Sequence, residues 1–115
     1  MDSFAYKIET RTAWAQAQRA GVYTGSALDV QDGFIHLSAQ DQVGATLTMW
    51  FKDQADLILA KIDLAPLGET VVWEASRGGA LFPHIYGPIP MTAVQEVIDL
   101  PVLADGSHDL PARFL

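Results

Sequence analysis

Apolar residues recur along this chain at two spacings, and each spacing predicts a different kind of element. Alternation of apolar and polar residues from Phe4 to Glu9 predicts a first strand, with Tyr6 and Ile8 on one face and Lys7 on the other. Apolar runs bounded by turn residues predict further strands, at residues 34–37, 57–62, 71–75, 84–89 and 94–100. The second half of the chain is therefore predicted to be mainly strand.

A helix is predicted directly after the first strand. Residues 13–20 are strong helix formers, and Thr10 or Thr12 is the expected N-cap. Gly21 follows at the position where a left-handed C-cap belongs. Residues 22–26 are then predicted to form a loop that leads to the next strand.

A second helix is predicted over residues 39–51. Its apolar residues recur at helical spacing, at Val43, Leu47, Trp50 and Phe51. Ser38 is the expected N-cap, because Asp41 follows three residues later as in a capping box.

The order of these elements predicts the fold class. Two strand–helix pairs followed by a run of strands are typical of an α+β domain rather than of a regular parallel βαβ array. The chain has 115 residues, of which 50% are hydrophobic, so we expect one compact domain over residues 1–115 with a single core. The tryptophans Trp14, Trp50 and Trp73 lie at positions compatible with that core.

Charge and composition exclude several classes of function. The formal net charge is −7 and the seven basic residues are scattered, so a duplex nucleic acid is not an expected partner, although a small anion could still be bound. The chain has no cysteine, which excludes a disulfide framework and a thiolate nucleophile. Neither a signal peptide nor a membrane helix is predicted, so we expect a cytoplasmic protein. Phosphate-loop, dinucleotide-binding, α/β-hydrolase and zinc-protease motifs are all absent from the sequence.

Two segments with a histidine inside an apolar strand pattern carry the candidate chemistry. In the first, at residues 32–38, His36 shares a face with Ser38, and in the second, at residues 81–90, His84 shares a face with Tyr86. If the two strands are neighbours, two imidazoles, a hydroxyl and a phenol line one groove. An imidazole there can act as an acid or a base near neutral pH.

Each of these residues also has a structural interpretation. His36 can hold a strand end, Ser38 can serve only as a helix cap, and the segment of His84 and Tyr86 can be a bulged edge strand. Glu74 can be a general base or a ribose ligand, or it can form a salt bridge with Arg77 or lie in solvent. The three histidines lack the close spacing of metal ligands, so no metal site is predicted.

Four segments together resemble a known bacterial family, called domain of unknown function 952. They are residues 12–14, the Gly33–Ser38 segment, the Trp73–Glu74 pair and the Phe82–Ile89 segment. The resemblance implies a compact fold of the ADP-ribosylating type, with two main helices and two small, mainly antiparallel sheets that enclose a cleft where relatives bind NAD. It implies no established activity.

The resemblance also suggests roles for single residues. In relatives with transferase activity, a histidine after a tyrosine on the first strand holds the NAD ribose, but here Lys7 follows Tyr6. Lysine lacks the neutral acceptor of an imidazole. Glu74 is the candidate for the transferases' catalytic glutamate, and Glu96 is a weaker one.

The resulting hypothesis is a domain that binds NAD or a related nucleotide. His36 and Glu74 are the candidate catalytic residues, and Glu74 would stabilise an oxocarbenium-like transition state during loss of nicotinamide. The candidate ligand-binding residues are Lys7, Ser38, Arg77, His84 and Tyr86, with Lys7 or Arg77 facing a phosphate. The alternative is a noncatalytic module that binds a small molecule or a protein on the same fold.

Overall fold

The computed structural model describes residues 2–115, apart from the side chain of Arg77. The strands in chain order are β1 (Phe4–Thr10), β2 (Val22–Tyr23), β3 (Ile35–His36), β4 (Leu57–Asp63), β5 (Val71–Ala75), β6 (Leu81–Ile85), β7 (Ile89–Pro90) and β8 (Val94–Leu100). The helices are α1 (Arg11–Ala20), α2 (Ala27–Asp32) and α3 (Val43–Trp50). The predicted α+β class is confirmed.

The strands form three small sheets rather than the two that the resemblance implied. Their orders are β1-β4-β8, β2-β7 and β3-β6-β5, and every pairing is antiparallel. The two larger sheets are connected where Tyr6 and Ser38 exchange backbone hydrogen bonds, each 2.8 Å long. This bridge brings the middle of β1 alongside the segment that carries His36.

The sheet β1-β4-β8 is covered on both faces, so its central strand β4 is a nearly continuous apolar run. Ile58, Ala60 and Ile62 belong to one core cluster, together with Trp14 of α1. Leu57 and Leu59 belong to the other, together with α3. Along β1, Tyr6 and Ile8 face the second cluster, as the alternation predicted, and the opposite face carries the buried polar residues Lys7 and Glu9.

The first helix matches its prediction closely. The Thr10 hydroxyl accepts a hydrogen bond from the Ala13 amide at 3.1 Å, and Gly21 ends the helix in the left-handed conformation at φ +80°. Arg19 lies in the last turn, where a positive charge is favourable.

The expected cap of the second predicted helix is wrong. Residues 40–42 form a 3₁₀ turn before α3, and the Ala39 amide donates to the Gln42 side chain at 2.9 Å. The backbone of Ser38 is occupied by its bridge to Tyr6, and the Ser38 hydroxyl lies 3.0 Å from that of Thr46. Ser38 is therefore held in a sheet contact and does not begin the helix.

Trp50, at the end of α3, is also not a core residue. Its exposed fraction is 63%, whereas Trp14 is 2% exposed and Trp73 is partly buried against the core. Trp50 is instead one of the residues that line a cleft.

Helix α2 was not predicted from the sequence, and the expected loop at 22–26 contains strand β2. Ser26 and Asp29 form a complete capping box, in which each side chain accepts from the other residue's backbone amide. Gly33 ends this short helix at φ +86°.

The predicted strand 84–89 is divided between β6 and β7, because the pairing of β5 with β6 ends at Ile85. Among the described residues, no helix is long and apolar enough to span a membrane.

Candidate functional site

A cleft of about 570 Å³ opens between β1, α2, β3, α3 and β6. Its wall combines polar side chains with an apolar part. The polar side chains are those of Lys7, Glu9, Ser26, Asp29, His36, Ser38, Thr46, Ser76 and His84, and the larger apolar side chains are those of Leu28, Trp50, Phe51 and Phe82. Four of the residues predicted to form a site, Lys7, His36, Ser38 and His84, therefore line one cleft.

The two histidines lie directly opposite each other on adjacent strands. In the antiparallel pairing of β3 with β6, His36 is the register partner of His84, and their ring centroids are 5.5 Å apart. Phe34 packs against both rings, with centroid distances of 4.6 Å to His36 and 4.2 Å to His84. The condition set out from the sequence, that these two strands are neighbours in one sheet, is therefore met.

The Asp29 cluster consists of Asp29, Lys7, His36, Asp32 and Ser26. The Asp29 carboxylate is 2% exposed and accepts four hydrogen bonds. One comes from the Lys7 ammonium at 2.8 Å, one from the Ser26 amide at 2.8 Å, one from the His36 amide at 3.1 Å and one from His36 Nδ1 at 2.6 Å. The cluster therefore connects β1, α2 and β3 through one buried carboxylate.

The electrostatics of this cluster favour the charged carboxylate. Burial by itself raises the pKa of Asp29, but the Lys7 ammonium and the hydrogen bonds from Lys7, Ser26 and His36 outweigh it and lower the pKa to about 2. Lys7 also donates to the backbone carbonyl of His36 at 3.0 Å. The Lys7 charge is thus already compensated within the protein.

His36 contacts a carboxylate at each ring nitrogen. Nδ1 lies 2.6 Å from Asp29 and Nε2 lies 3.0 Å from Asp32, which is on the last turn of α2. Of these two contacts, only the one with Asp29 has the geometry of a hydrogen bond.

The Glu74 cluster consists of Glu74, His84 and Tyr86. One oxygen of Glu74 lies 2.7 Å from His84 Nδ1 and 2.7 Å from the Tyr86 hydroxyl. The hydrogen bond from Tyr86, and after it that from His84, lowers the pKa of Glu74, and the same bond to Glu74 raises the pKa of Tyr86. Neither Glu74 nor Tyr86 is among the residues that line the cleft, whereas His84, which Glu74 contacts, is one of them.

The remaining predicted residues lie elsewhere. Glu96 is on the outer strand β8 and pairs with Arg113, and it does not line the cleft. The side chain of Arg77 is outside the described part of the chain, so its predicted contact with a phosphate, or with Glu74, stays a prediction. Within the described residues, no group of three or more histidine, aspartate or glutamate side chains could hold a metal ion.

Sequence reasoning missed three carboxylates of the site. Asp29 was recognisable from the Ser26-x-x-Asp29 spacing of a capping box, but its further role depends on distant Lys7. Glu9 is buried and accepts a hydrogen bond from the Tyr23 hydroxyl, and burial together with Glu9 raises the pKa of Tyr23. No local sequence pattern identified Glu9 or Asp32 as site residues, because their partners, Tyr23 and His36, lie in other elements.

The fold and the cleft define a small α+β protein with a carboxylate-supported pair of histidines. A family model described as "Protein of unknown function (DUF952)" matches residues 8–97, and the chain belongs to this family. The resemblance stated from the motifs is thereby confirmed at the level of the family. Among the curated proteins, none matches the chain.

Solved structures of protein CC0527 from Caulobacter crescentus are similar to this chain. The crystal structure is 47% identical, covers 92% of this chain and 93% of its own, and superposes with a TM-score of 0.88. The solution NMR structure of the same protein is 47% identical, with coverage of 92% and 91% and a TM-score of 0.82. These comparisons support the fold.

Proposed function

We propose that the cleft binds NAD or a related nucleotide, on a fold of the ADP-ribosylating type. The observation that carries this proposal is the pair of histidines on the cleft wall, His36 and His84, which face each other across two strands and are each held by a separate carboxylate. Side chains that are positioned in this way by a second layer of hydrogen bonds are typical of binding and catalytic sites.

The size and lining of the cleft support a ligand of this kind. Its volume of about 570 Å³ lies within the usual range of small-molecule sites, roughly 300–1,000 Å³. Trp50 and Phe82 offer aromatic rings for a planar base, while His36, Ser38 and His84 offer polar groups. Lys7 is paired with Asp29, so Arg77 is the better of the two proposed phosphate contacts.

Binding without transfer is favoured over catalysis by one specific observation. Loss of nicotinamide requires a carboxylate close to the reacting ribose, and Glu74 was the candidate for it. Glu74 lies behind His84 and does not line the cleft, so it would have to move to reach a ligand directly. We therefore propose a binding site, with Glu74 and Tyr86 as positioning residues, and treat transfer as a separate question.

Thermal unfolding with millimolar NAD, ADP-ribose or nicotinamide tests the proposal. A ligand at about 100 times its Kd adds about 2.7 kcal/mol to the free energy of unfolding and raises the Tm by several degrees. We expect this increase with NAD or ADP-ribose, and its loss in His84→Ala and His36→Ala. Glu96→Gln is the control variant, because Glu96 is outside the cleft.

Two outcomes would contradict parts of the proposal. If no compound raises the Tm of the unmodified protein, the cleft does not bind these nucleotides, and the proposal fails. If chromatography instead detects nicotinamide released from NAD by the protein, the site is catalytic, and the proposal of binding alone is too narrow.

A further inference from the structure

We propose that Glu9 decides which part of a ligand enters the cleft: its carboxylate accepts a hydrogen bond from an N–H or O–H group of the ligand and repels a phosphate. The inference deepens the proposed function, because it rests on the cleft being a ligand site. The enclosed part of the ligand is then a nitrogen base, a ribose or a small organic cation, and the phosphates of a nucleotide stay at the outer edge.

The cleft has a buried inner wall and an exposed outer edge. Leu28 and Trp50, at the outer edge, are 56% and 63% exposed. The inner wall consists of the polar lining residues whose exposed fraction is 8% or less, which are Lys7, Glu9, Asp29, Ser38 and His84. A ligand that fills the cleft therefore meets polar groups at its inner end and large apolar side chains at its outer end.

The charged groups of the inner wall do not balance. Among the described side chains that line the cleft, Lys7 is the only lysine or arginine, and it faces the carboxylates of Glu9 and Asp29. The Lys7 ammonium binds Asp29 at 2.8 Å and donates to the His36 carbonyl at 3.0 Å. Glu9 forms no ion pair with any described residue. The carboxylate of Glu9 is therefore the uncompensated charge of the inner wall.

The hydrogen bonds of Glu9 leave room for a ligand. The Thr10 amide donates to Oε1 at 2.7 Å, and the Tyr23 hydroxyl donates to Oε2. A carboxylate has about four acceptor positions, so two of them remain for donors in the cleft. A buried carboxylate is costly unless it is paired or well hydrogen-bonded, so Glu9 favours a ligand that supplies a donor or a positive charge.

This requirement separates the parts of a nucleotide. Ribose hydroxyls and base nitrogens can donate to Glu9, and a hydrogen bond from a positively charged group is stronger than one from a neutral group. A phosphate offers negative oxygens, so at the inner wall it would lose hydration and face a like charge, which is a common way to reject a ligand. Arg77, the proposed phosphate contact, follows Ser76 in the chain, and Ser76 also lines the cleft.

Three probes of the same shape test the inference without any nucleotide. Benzamidine is a cationic donor, benzamide is a neutral donor, and benzoate is an anionic acceptor. Each is titrated into the protein near neutral pH while the backbone amide signals of β1 and β6 are followed by NMR. We expect benzamidine to bind with a Kd at least about tenfold lower than that of benzoate, with benzamide between them. Inorganic phosphate should not shift the Glu9 amide signal.

The variant Glu9→Gln assigns the preference to one side chain. It removes the charge and keeps the shape, so we expect the affinity for benzamidine to fall about tenfold while that for benzamide changes little. Glu96→Gln removes the same charge outside the cleft and should keep the preference, which excludes a general attraction to a chain of net charge −7. Tyr23→Phe removes a hydrogen bond to the same carboxylate, but Tyr23 does not line the cleft, so the preference should again remain.

Three results would overturn the inference. They are equal binding of benzamidine and benzoate, no binding of any probe, and a preference that survives in Glu9→Gln. A loss of preference in Tyr23→Phe as large as in Glu9→Gln would show that Glu9 acts only through the structure. The comparison of probes on the unmodified protein decides the question even if Glu9→Gln does not fold.

The inference and the proposed function can fail separately. If the probes show the expected preference but NAD and ADP-ribose do not raise the Tm, the nucleotide proposal is wrong and the role of Glu9 is retained. If the nucleotides raise the Tm but the probes show no preference, the nucleotide proposal is retained and the role of Glu9 is wrong.

Discussion

The Asp29 and Glu74 clusters use the same chemical pairing, a carboxylate bound to Nδ1 of a histidine, in opposite environments. The Asp29 side chain is 2% exposed and accepts four hydrogen bonds, one of them from a buried lysine. The Glu74 side chain is 37% exposed and, among the side chains that the structure describes, accepts hydrogen bonds from His84 and Tyr86. Phe34 lies between the two clusters and contacts one histidine of each.

The same pairing therefore serves stability in one cluster and positioning in the other. A buried charge is expensive to leave unpaired, so the Asp29 cluster holds β1, α2 and β3 together. The Glu74 pairing is close to solvent, where electrostatic interactions are screened and contribute little to stability. The Glu74 cluster is thus free to orient His84 without being required for folding.

The largest effect is expected from Asp29→Asn. This change leaves the ammonium of Lys7, a residue only 6% exposed, without its counter-charge. We expect the free energy of unfolding to fall by about 3–5 kcal/mol, measured by urea denaturation. Asp99→Asn, at an exposed ion pair with Arg11, is the matched control and should change it by at most ~0.5 kcal/mol. A loss as small as that of the control would show that the Asp29 cluster is not structural.

A smaller loss in the free energy of unfolding is expected when the pH is lowered. The pKa of Asp29 is lowered from 3.8 to about 2, and each pKa unit corresponds to about 1.4 kcal/mol, so the cluster contributes about 2 kcal/mol. Because the folded-state pKa is the lower one, this contribution is complete above about pH 4 and is lost as the pH falls toward 2.

The measurement is the free energy of unfolding between pH 6 and pH 2. Between pH 6 and pH 2, the difference in free energy of unfolding between the wild type and Asp29→Asn should shrink by about 2 kcal/mol. The difference between the wild type and Asp99→Asn should stay small over the same range. A difference that does not depend on pH would contradict the lowered pKa.

Phe34→Leu tests the ring that contacts both clusters, and we expect it to lower the free energy of unfolding by about 1 kcal/mol. The leucine keeps apolar volume but removes the ring that packs against His36 and His84, and aromatic pairs contribute roughly 0.5–1.5 kcal/mol. We expect a modest loss of stability, together with changed NMR signals of His84. If the His84 signals do not change, Phe34 does not help to position that ring.

The smallest change in stability is expected from Glu74→Gln. The amide oxygen still accepts a hydrogen bond, and the site is close to solvent. The midpoint of urea unfolding should therefore equal that of the wild type within error. A large drop in the midpoint would remove the contrast between the two clusters.

Much of the framework could be predicted from local sequence. The first helix with its Thr10 and Gly21 caps, the strand β4 and the shared face of His84 and Tyr86 were predicted, because capping and periodicity depend on neighbouring residues. Helix α2 has only six residues, too few for a clear period, and was missed.

Errors arose where distant partners competed with a local signal. Ser38 has the spacing of a helix cap, but its backbone pairs with Tyr6, 32 positions earlier in the chain (38 − 6), and the 3₁₀ turn begins after it. A sheet hydrogen bond from another element thus overruled the local preference.

Local patterns along the chain were enough to predict the α+β class, the elements with strong periodicity and the residue types available for chemistry. The contacts between these groups depend on the three-dimensional fold: Lys7 binds Asp29, His36 lies opposite His84, and Glu74 binds His84 and does not line the cleft. The reason is that strand register and helix docking depend on contacts between residues far apart in the chain. Local propensity depends only on neighbouring residues and therefore does not predict those contacts.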